Sequence, residues 1–502
     1  MPLRTTQTKY GAVQGVPCGN PTYTVFRGIP YGAPTDGENR FSAPKPPKAW
    51  EGVRMCDTFS DICMQASPIQ GLPFGDFFLK EFYPYRYQCS EDSLCLNVWT
   101  PAQSSDEKLP VMVWIHGGGF GSGYGHEMEF DGEALCKAGV ILVTINYRLN
   151  FFGFFAHPEL SAVDPHGVSG NYGILDQIAA LRWVQENIGA FGGDKDNVTI
   201  FGQSAGGASI IAHLISDLSE GLFHKAIIQS GTFTLLGDMM MGTREEGEQW
   251  GQKACEYLGK TVEELRAMPL EEANAALEEA QRHIGPAPKL IVDGYVFKER
   301  PLDALKSGQW KNVPTMSGSV RGDKDLSVGR DKELKAAGID PTQATFMGDA
   351  FVGLCQAENG RTPAYIYLFD PEIPGHDIYH FVEDGLPYHS AELWYIFGTL
   401  DRCWRDFSGG HYELSKLMIQ YWTNFAKYSD PNGCGAAQGS ENVPADCAGG
   451  NSTAAGCNGK SSALPAWPAF TKNCPKRMYL SEKGSEIREI EELPAFMNVY
   501  NK

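Results

Sequence analysis

The chain has no apolar run of about 18 residues or longer, the length a helix needs to cross a membrane. The opening Met1-Pro-Leu-Arg-Thr-Thr-Gln-Thr-Lys9 lacks an apolar signal segment, so a cytoplasmic location is expected. Positive charge is scarce: 42 Lys and Arg stand against 61 Asp and Glu, a formal net charge of −19. That excess is spread along the sequence rather than gathered in a block. It argues against nucleic acid or an anionic membrane surface as a partner. Close Cys-x-x-Cys pairs are missing too, so the 13 cysteines do not read as a zinc site. Their odd number fits a reducing compartment. No internal repeat divides the chain.

What is present fits a large α/β protein. Hydrophobic residues make up 42% of 502 positions, ample for an extensive core. Strand-like runs at 110–115, 139–147, 198–201 and 225–229 alternate with helical stretches around 173–188 and 207–215. That alternation predicts a mostly parallel sheet with helices on both faces. One domain spanning 1–502 is expected, with a charged, alanine-rich helical sub-domain inserted at 232–310. Residues 433–463 are rich in Gly, Ala, Ser and Asn and carry Cys434, Cys447 and Cys457. Their composition reads as a flexible surface insertion.

The chemistry concentrates at Gly202-Gln203-Ser204-Ala205-Gly206, directly after the apolar run Val198-Thr-Ile-Phe201. A serine between two glycines, at the end of a strand and the start of a helix, suits a strained, exposed turn. With 57 glycines in the chain, the pattern alone is weakly specific, so context decides. That context is Pro110-Val-Met-Val-Trp-Ile115, a buried-strand run that ends in His116-Gly117-Gly118-Gly119-Phe120. A glycine triplet lets consecutive backbone N–H groups point into one cavity, where they can hold a developing oxyanion.

Further motifs make a resemblance specific. Phe26-Arg-Gly-Ile-Pro-Tyr31, Arg40-Phe41 and Pro44 to Trp50 are similar to the opening signature of type-B carboxylesterases, the family that also holds cholinesterases and some fungal lipases. Ser90-Glu-Asp-Ser-Leu-Cys-Leu-Asn97 resembles that family's acidic stretch. Gly170 to Gln177, Ala180 to Val184 and Phe191 to Asp194 lead to the serine as they do in relatives. The resemblance runs from about residue 5 to the C-terminus, interrupted near 433–463. It implies an α/β-hydrolase fold and a serine, acid, histidine order along the chain.

On that reading Ser204 is the nucleophile. His389, in Leu386-Pro-Tyr-His-Ser-Ala-Glu-Leu393, is the general base. Counting from Gly318 places Asp323 where relatives usually carry a glutamate, with Asp325 as the runner-up. The N–H groups of Gly118, Gly119 and Ala205 form the oxyanion hole, and the reaction needs no metal or organic cofactor. The family's common disulfide from near Cys63 meets Ser93 here and cannot form in its usual way; Cys89 or Cys95 could substitute.

Substrate expectations follow from departures. Cholinesterases place a glutamate before the nucleophile and a tryptophan in the loop after the Cys63 region. Here Gln203 stands before Ser204, and residues 64–92 contain no tryptophan. A quaternary ammonium would lose its anion and its cation–π platform. The aromatics Phe74, Phe77, Phe78, Phe82, Tyr83, Tyr85 and Tyr87 read first as core. Those that line the site would favour an uncharged or aromatic ester. The leading expectation is therefore a serine carboxylesterase for short-chain, neutral or aromatic small-molecule esters, working as a monomer or weak dimer. A dedicated feruloyl or acetyl esterase on plant-derived saccharides is the alternative, and a non-catalytic scaffold is the reading from another class.

Overall fold

The computed structural model describes residues 1–17, 19–66, 73–83, 85, 87–232, 241–325, 331–336, 344–376, 385–433, 464–490 and 493. Its centre is a ten-stranded sheet. In chain order the strands are β1 (Thr24–Pro30), β2 (Cys95–Thr100), β3 (Leu109–Ile115), β4 (Ile141–Ile145), β5 (Gly193–Gln203), β6 (Lys225–Gln229), β7 (Thr315–Val320), β8 (Ala364–Phe369), β9 (Lys476–Leu480) and β10 (Glu486–Glu489). Their order across the sheet is β1-β2-β4-β3-β5-β6-β7-β8-β9-β10. The run from β4 to β9 is parallel, and antiparallel strands close both ends. This is the mostly parallel α/β-hydrolase sheet that the strand–helix alternation implied.

Parallel strands covered on both faces read as continuous apolar runs, because successive side chains enter opposite cores. Val111, Val113 and Ile115 of β3 enter one core, with Ile200 and Ile228. Met112 and Trp114 enter the other, with Phe201 and Ile227. The first core is covered by α2 (Tyr172–Asn187), α3 (Ala205–Ile215) and α6 (Ala344–Glu358); the second by α7 (Gly409–Tyr428). Each buried Val, Ile or Leu contributes roughly 1.5–3 kcal/mol relative to exposure.

Residues 244–284 hold α4 (Arg244–Leu258), a short helix at Val262–Ala267, and α5 (Leu270–Ile284). Thr243 with Glu246, and Thr261 with Glu264, form capping boxes that start the first two. A two-stranded parallel pair joins Met241–Thr243 to Leu290–Val292. This region packs on the sheet domain through a separate apolar cluster, in which Trp250 stacks on Phe151 at 5.5 Å. Asn171, in left-handed conformation at φ 52°, donates to the Ile291 carbonyl at 2.8 Å.

The signature motifs serve as scaffold. Arg40 Nη2 meets Glu91 Oε2 at 2.5 Å, and Arg148 grips Asp176 through two contacts of 2.7 and 2.8 Å. The Tyr31 hydroxyl donates to the Asn146 carbonyl, and Trp50 Nε1 to the Ala12 carbonyl. Buried pairs of this kind fix register rather than add large net stability.

Cys63, Cys89 and Cys95 are free thiols, so neither substitute pairing forms. Cys63 Sγ sits 3.1 Å from Ser93 Oγ, where relatives would place the second sulfur. Cys474 is disulfide-bonded. Residues 434–463, most of the insertion, lie outside the described residues.

Candidate active site

Ser204 sits on the turn between β5 and α3 with φ 58° and ψ −123°, a conformation rarely adopted by any side-chain-bearing residue. Such a position costs on the order of 1–3 kcal/mol and persists only where packing dictates it. The flanking glycines show why packing dictates it here. A Cβ on Gly206 would lie 2.0 Å from the Ile115 carbonyl oxygen, and one on Gly202 would lie 2.6 Å from the Gly206 backbone. The turn therefore presses β5, α3 and the end of β3 into one another. The Ser204 N–H is tied to the Gln229 carbonyl of β6 at 2.9 Å.

The glycine triplet after β3 lies against this turn. A Cβ on Gly117 would come within 3.0 Å of Ser204 Cβ and 2.8 Å of the Gln203 carbonyl. Gly118 and Gly119 take φ of 98° and 61°, and a Cβ on Gly118 would strike the Ser122 carbonyl oxygen at 2.1 Å. Among the described residues, neither the Gly118 nor the Gly119 N–H is engaged by a hydrogen bond. Ala205 is the first residue of α3, where helix geometry leaves N–H groups unpaired, and the Ser204 side chain does not cap it. The helix dipole adds partial positive charge at the same place. His116 holds the loop from beneath. Its Nδ1 meets the Gly117 carbonyl at 2.9 Å, and burial pushes its pKa down to about 4, keeping it neutral.

His389 and Asp323 come together from distant loops. Asp323 follows β7 in a short turn over Arg321–Asp325, and its side chain is fully buried. His389 Nδ1 donates to Asp323 Oδ1 at 2.6 Å, and Val320 N donates to Oδ2 at 3.3 Å. Gly322 makes the approach possible: its N–H donates to the Pro387 carbonyl at 2.9 Å, and a Cβ there would meet that oxygen at 2.3 Å. Burial pulls the His389 pKa down, but the Asp323 charge and hydrogen bond, with the Glu392 charge, outweigh it. The pKa therefore stands above the ordinary histidine value of 6.5. The Asp325 side chain lies outside the described residues.

The other ring nitrogen faces Gln203. The Gln203 amide nitrogen lies 3.2 Å from His389 Nε2, and its Oε1 accepts from the Ser390 hydroxyl at 3.0 Å. The Asp323 carboxylate only accepts, so in the neutral ring Nδ1 carries the proton, and Nε2 can accept from the Gln203 NH2. This is the tautomer a general base needs. Among the described residues Ser204 Oγ makes no hydrogen bond to His389; such contacts often tighten only with substrate in place.

Two residues without an assigned role in the sequence reading also belong to the site. Glu392 is fully buried one turn beyond His389, its Oε1 accepting from Gln229 Nε2 at 3.4 Å. Burial and the Asp323 charge push its pKa up to about 7. Glu81, at the end of α1 (Pro73–Glu81), accepts from Arg405 Nε at 3.0 Å, from Trp404 Nε1 at 2.7 Å and from the Tyr388 hydroxyl. It thereby anchors the residue preceding His389. Both stand in or near quoted motifs, but their roles depend on burial, which spacing does not report.

The aromatics near α1, read first as core, are only partly so. Phe77 and Phe82 are buried against Tyr388, with ring centroids 5.2 and 6.1 Å away. Phe78, Tyr83 and Tyr87 are half-buried and Tyr85 is exposed, while the Phe74 side chain lies outside the described residues. Among the described residues, no group of three or more His, Cys, Asp or Glu is placed to hold a metal ion. No helix there is long and apolar enough to cross a membrane.

Comparison with known proteins agrees with this geometry. A model described as the carboxylesterase family matches residues 3–338 and 342–495. The chain is 33% identical to the para-nitrobenzyl esterase of Bacillus subtilis, over 85% of this chain and 90% of that one. It is 40% identical to the fumonisin B1 esterase of Sphingopyxis macrogoltabida, over 62% of this chain but only 54% of that protein. The fold matches a solved thermophilic PNB esterase with TM-score 0.78 and 28% identity, covering 99% of both chains. It also matches a carboxylesterase of Geobacillus stearothermophilus with TM-score 0.73 and 30% identity, covering 98% of this chain and 99% of that one. With this sheet, this serine turn and these relatives, the chain belongs to the carboxylesterase family and is an enzyme acting on carboxylic esters.

Proposed function

We propose that this enzyme hydrolyses short-chain, neutral or aromatic carboxylic esters through an acyl-enzyme formed on Ser204. The observation that carries the proposal is the strained Ser204 packed against free N–H groups, beside a His389 whose tautomer is set by Asp323. His389 Nε2 takes the Ser204 proton as Oγ attacks the ester carbonyl. The N–H groups of Gly118, Gly119 and Ala205 hold the oxyanion, each contributing about 2.7–4 kcal/mol to the barrier reduction. Collapse breaks the bond to the alcohol, which leaves with the His389 proton. Water, activated by the same nitrogen, then cleaves the acyl-enzyme and restores the hydroxyl. Gln203 supports a neutral imidazole and supplies no anion, which speaks against choline esters. Residues 232–310 act as a sub-domain at the side of the site rather than as a separable unit.

The test is turnover of p-nitrophenyl esters from acetate to palmitate by the wild type and Ser204→Ala. Serine-dependent turnover peaking at short acyl chains is the expected result. Turnover that survives Ser204→Ala, or that peaks at palmitate, would overturn the reading.

A further inference from the structure

Lys289 lies on the connection from α5 to Leu290–Val292, half-buried, and no ion pair engages it among the described residues. Its one hydrogen bond is to Asn150 Oδ1, long at 3.4 Å. Other desolvated lysines hold oxygens more closely: Lys225 reaches Asn197 Oδ1, and Lys427 reaches the Ala138 carbonyl. Buried arginines hold carboxylates, as in Arg40–Glu91 and Arg148–Asp176. An ammonium has three donors to satisfy, and Lys289 leaves them largely unmet. Burial keeps its pKa below that of a free lysine, and no ion pair among the described residues offsets that burial. In a chain of net charge −19 this is an uncommon arrangement.

The position matters as much as the charge. Asn150 belongs to the frame of the glycine loop: its Nδ2 donates to the Gly121 carbonyl at 2.8 Å and its N–H to the Phe120 carbonyl at 2.8 Å. A Cβ on Gly121 would lie 3.0 Å from Asn150 Oδ1, the atom that Lys289 touches. Gly121 N–H in turn closes onto the Gly118 carbonyl at 2.9 Å. Lys289, Asn150, Gly121 and Gly118 thus form one chain of contacts ending at the oxyanion donors. The connection enters this chain from the end of α5, where Trp250 Nε1 holds the Gly285 carbonyl at 2.9 Å.

We infer that Lys289 is a specificity residue that receives a carboxylate on the ester substrate, so that the enzyme takes esters carrying an anionic group as well as neutral ones. This rests on the acyl-enzyme reading above and extends its substrate class. A partly desolvated cation tied to the loop that carries the oxyanion donors gains most when an anion replaces the water it has lost. A neutral ester leaves it as it stands, and is turned over without that contact.

The test uses three esters. p-Nitrophenyl butyrate is neutral, p-nitrophenyl hemiglutarate carries its carboxylate on the acyl half, and the butyrate ester of 4-hydroxybenzoate carries it on the alcohol half. Lys289→Met should lower kcat/KM for one of the two anionic esters at least tenfold more than for p-nitrophenyl butyrate, chiefly through KM. Lys289→Arg should restore most of that ratio. Which anionic ester responds assigns the carboxylate to the acyl or the alcohol side. If the ratios to p-nitrophenyl butyrate stay within twofold for both, Lys289 has no such role, even though the esterase reading survives. If the wild type shows no serine-dependent turnover of p-nitrophenyl butyrate, the esterase reading itself fails.

Discussion

At the scale of the residue, the site is a set of conformations that glycine permits and packing enforces. Ser204 tolerates φ 58° because Gly202, Gly206 and Gly117 leave no room for the turn to relax. Asp323 reaches His389 Nδ1 at 2.6 Å with a side chain one methylene shorter than the glutamate relatives usually carry. The Gly322 backbone lies against Pro387, which removes the distance that one methylene would have spanned. Asp323→Asn should keep the geometry but reverse the donor preference at Nδ1, stabilising the wrong tautomer. A loss of about 10⁴-fold in kcat is expected, by analogy with other serine triads. Asp325→Asn should change kcat by less than about twofold, since the proposed triad does not use it. Steady-state kinetics on p-nitrophenyl butyrate measure both, and the reverse pattern would move the acid to Asp325.

Much of this was readable from sequence. Ser204, His389 and the Gly117–Gly119 run announce themselves, because their geometry demands small or chemically unique residues at fixed spacing. Asp323 needed a count from Gly318, since a short acidic loop carries no periodicity. Gln203 shows only as a missing negative charge in the sequence. Its amide contacts with His389 Nε2 and the Ser390 hydroxyl come from three-dimensional packing, which spacing does not report. Glu392 was in plain view three residues after His389, but its burial beside Asp323 was not.

At the scale of the element, long-range clasps bring the loops to the site. The strand-like runs at 225–229 and 110–115 fall on β6 and β3, since buried parallel strands are apolar throughout. The run read at 198–201 is the apolar part of a longer strand, Gly193–Gln203, whose polar start at Asp194–Asn197 carries no strand signature. The helical stretch near 245–280 resolves into three helices, its first break ending at the Thr261 cap and its second at Pro269. Glu81 shows what element-scale reading misses: α1 is fastened to Tyr388, Trp404 and Arg405 by one carboxylate. Arg405 is itself buried, its guanidinium 4.8 Å from the Tyr388 ring. Glu81→Ala should therefore cost about 3–5 kcal/mol, the penalty for leaving a buried partner charge uncompensated. Thermal unfolding should show a clear loss in Tm, and kcat should fall as Tyr388 loosens beside His389. An unchanged Tm with unchanged kcat would show that the clasp carries neither load.

At the scale of the whole molecule, a twisted parallel sheet places three distant loops at one edge. The turn after β3 brings the glycine loop, the turn after β5 the serine, and the turn after β7 the acid. The histidine returns from the segment ahead of α7, across the apolar face that Trp394 and Trp422 fill. Net charge argued against nucleic acid or an anionic membrane surface as a partner, and the motif order carried the family. What composition could not supply was the position of lone charges such as Lys289, which depends on the packing of residues 241–310.

The central claim is that Ser204 is activated by His389 to form a covalent acyl-enzyme. The most direct measurement is labelling by a fluorophosphonate across pH, read by intact mass and peptide mapping. A proton on Nε2 blocks the base, so labelling should disappear as pH falls through a pKa above 6.5. A single adduct on Ser204, abolished in His389→Ala and following that acid limb, is the predicted result. An adduct elsewhere, or labelling of Ser204 that neither pH nor His389→Ala alters, would contradict the account.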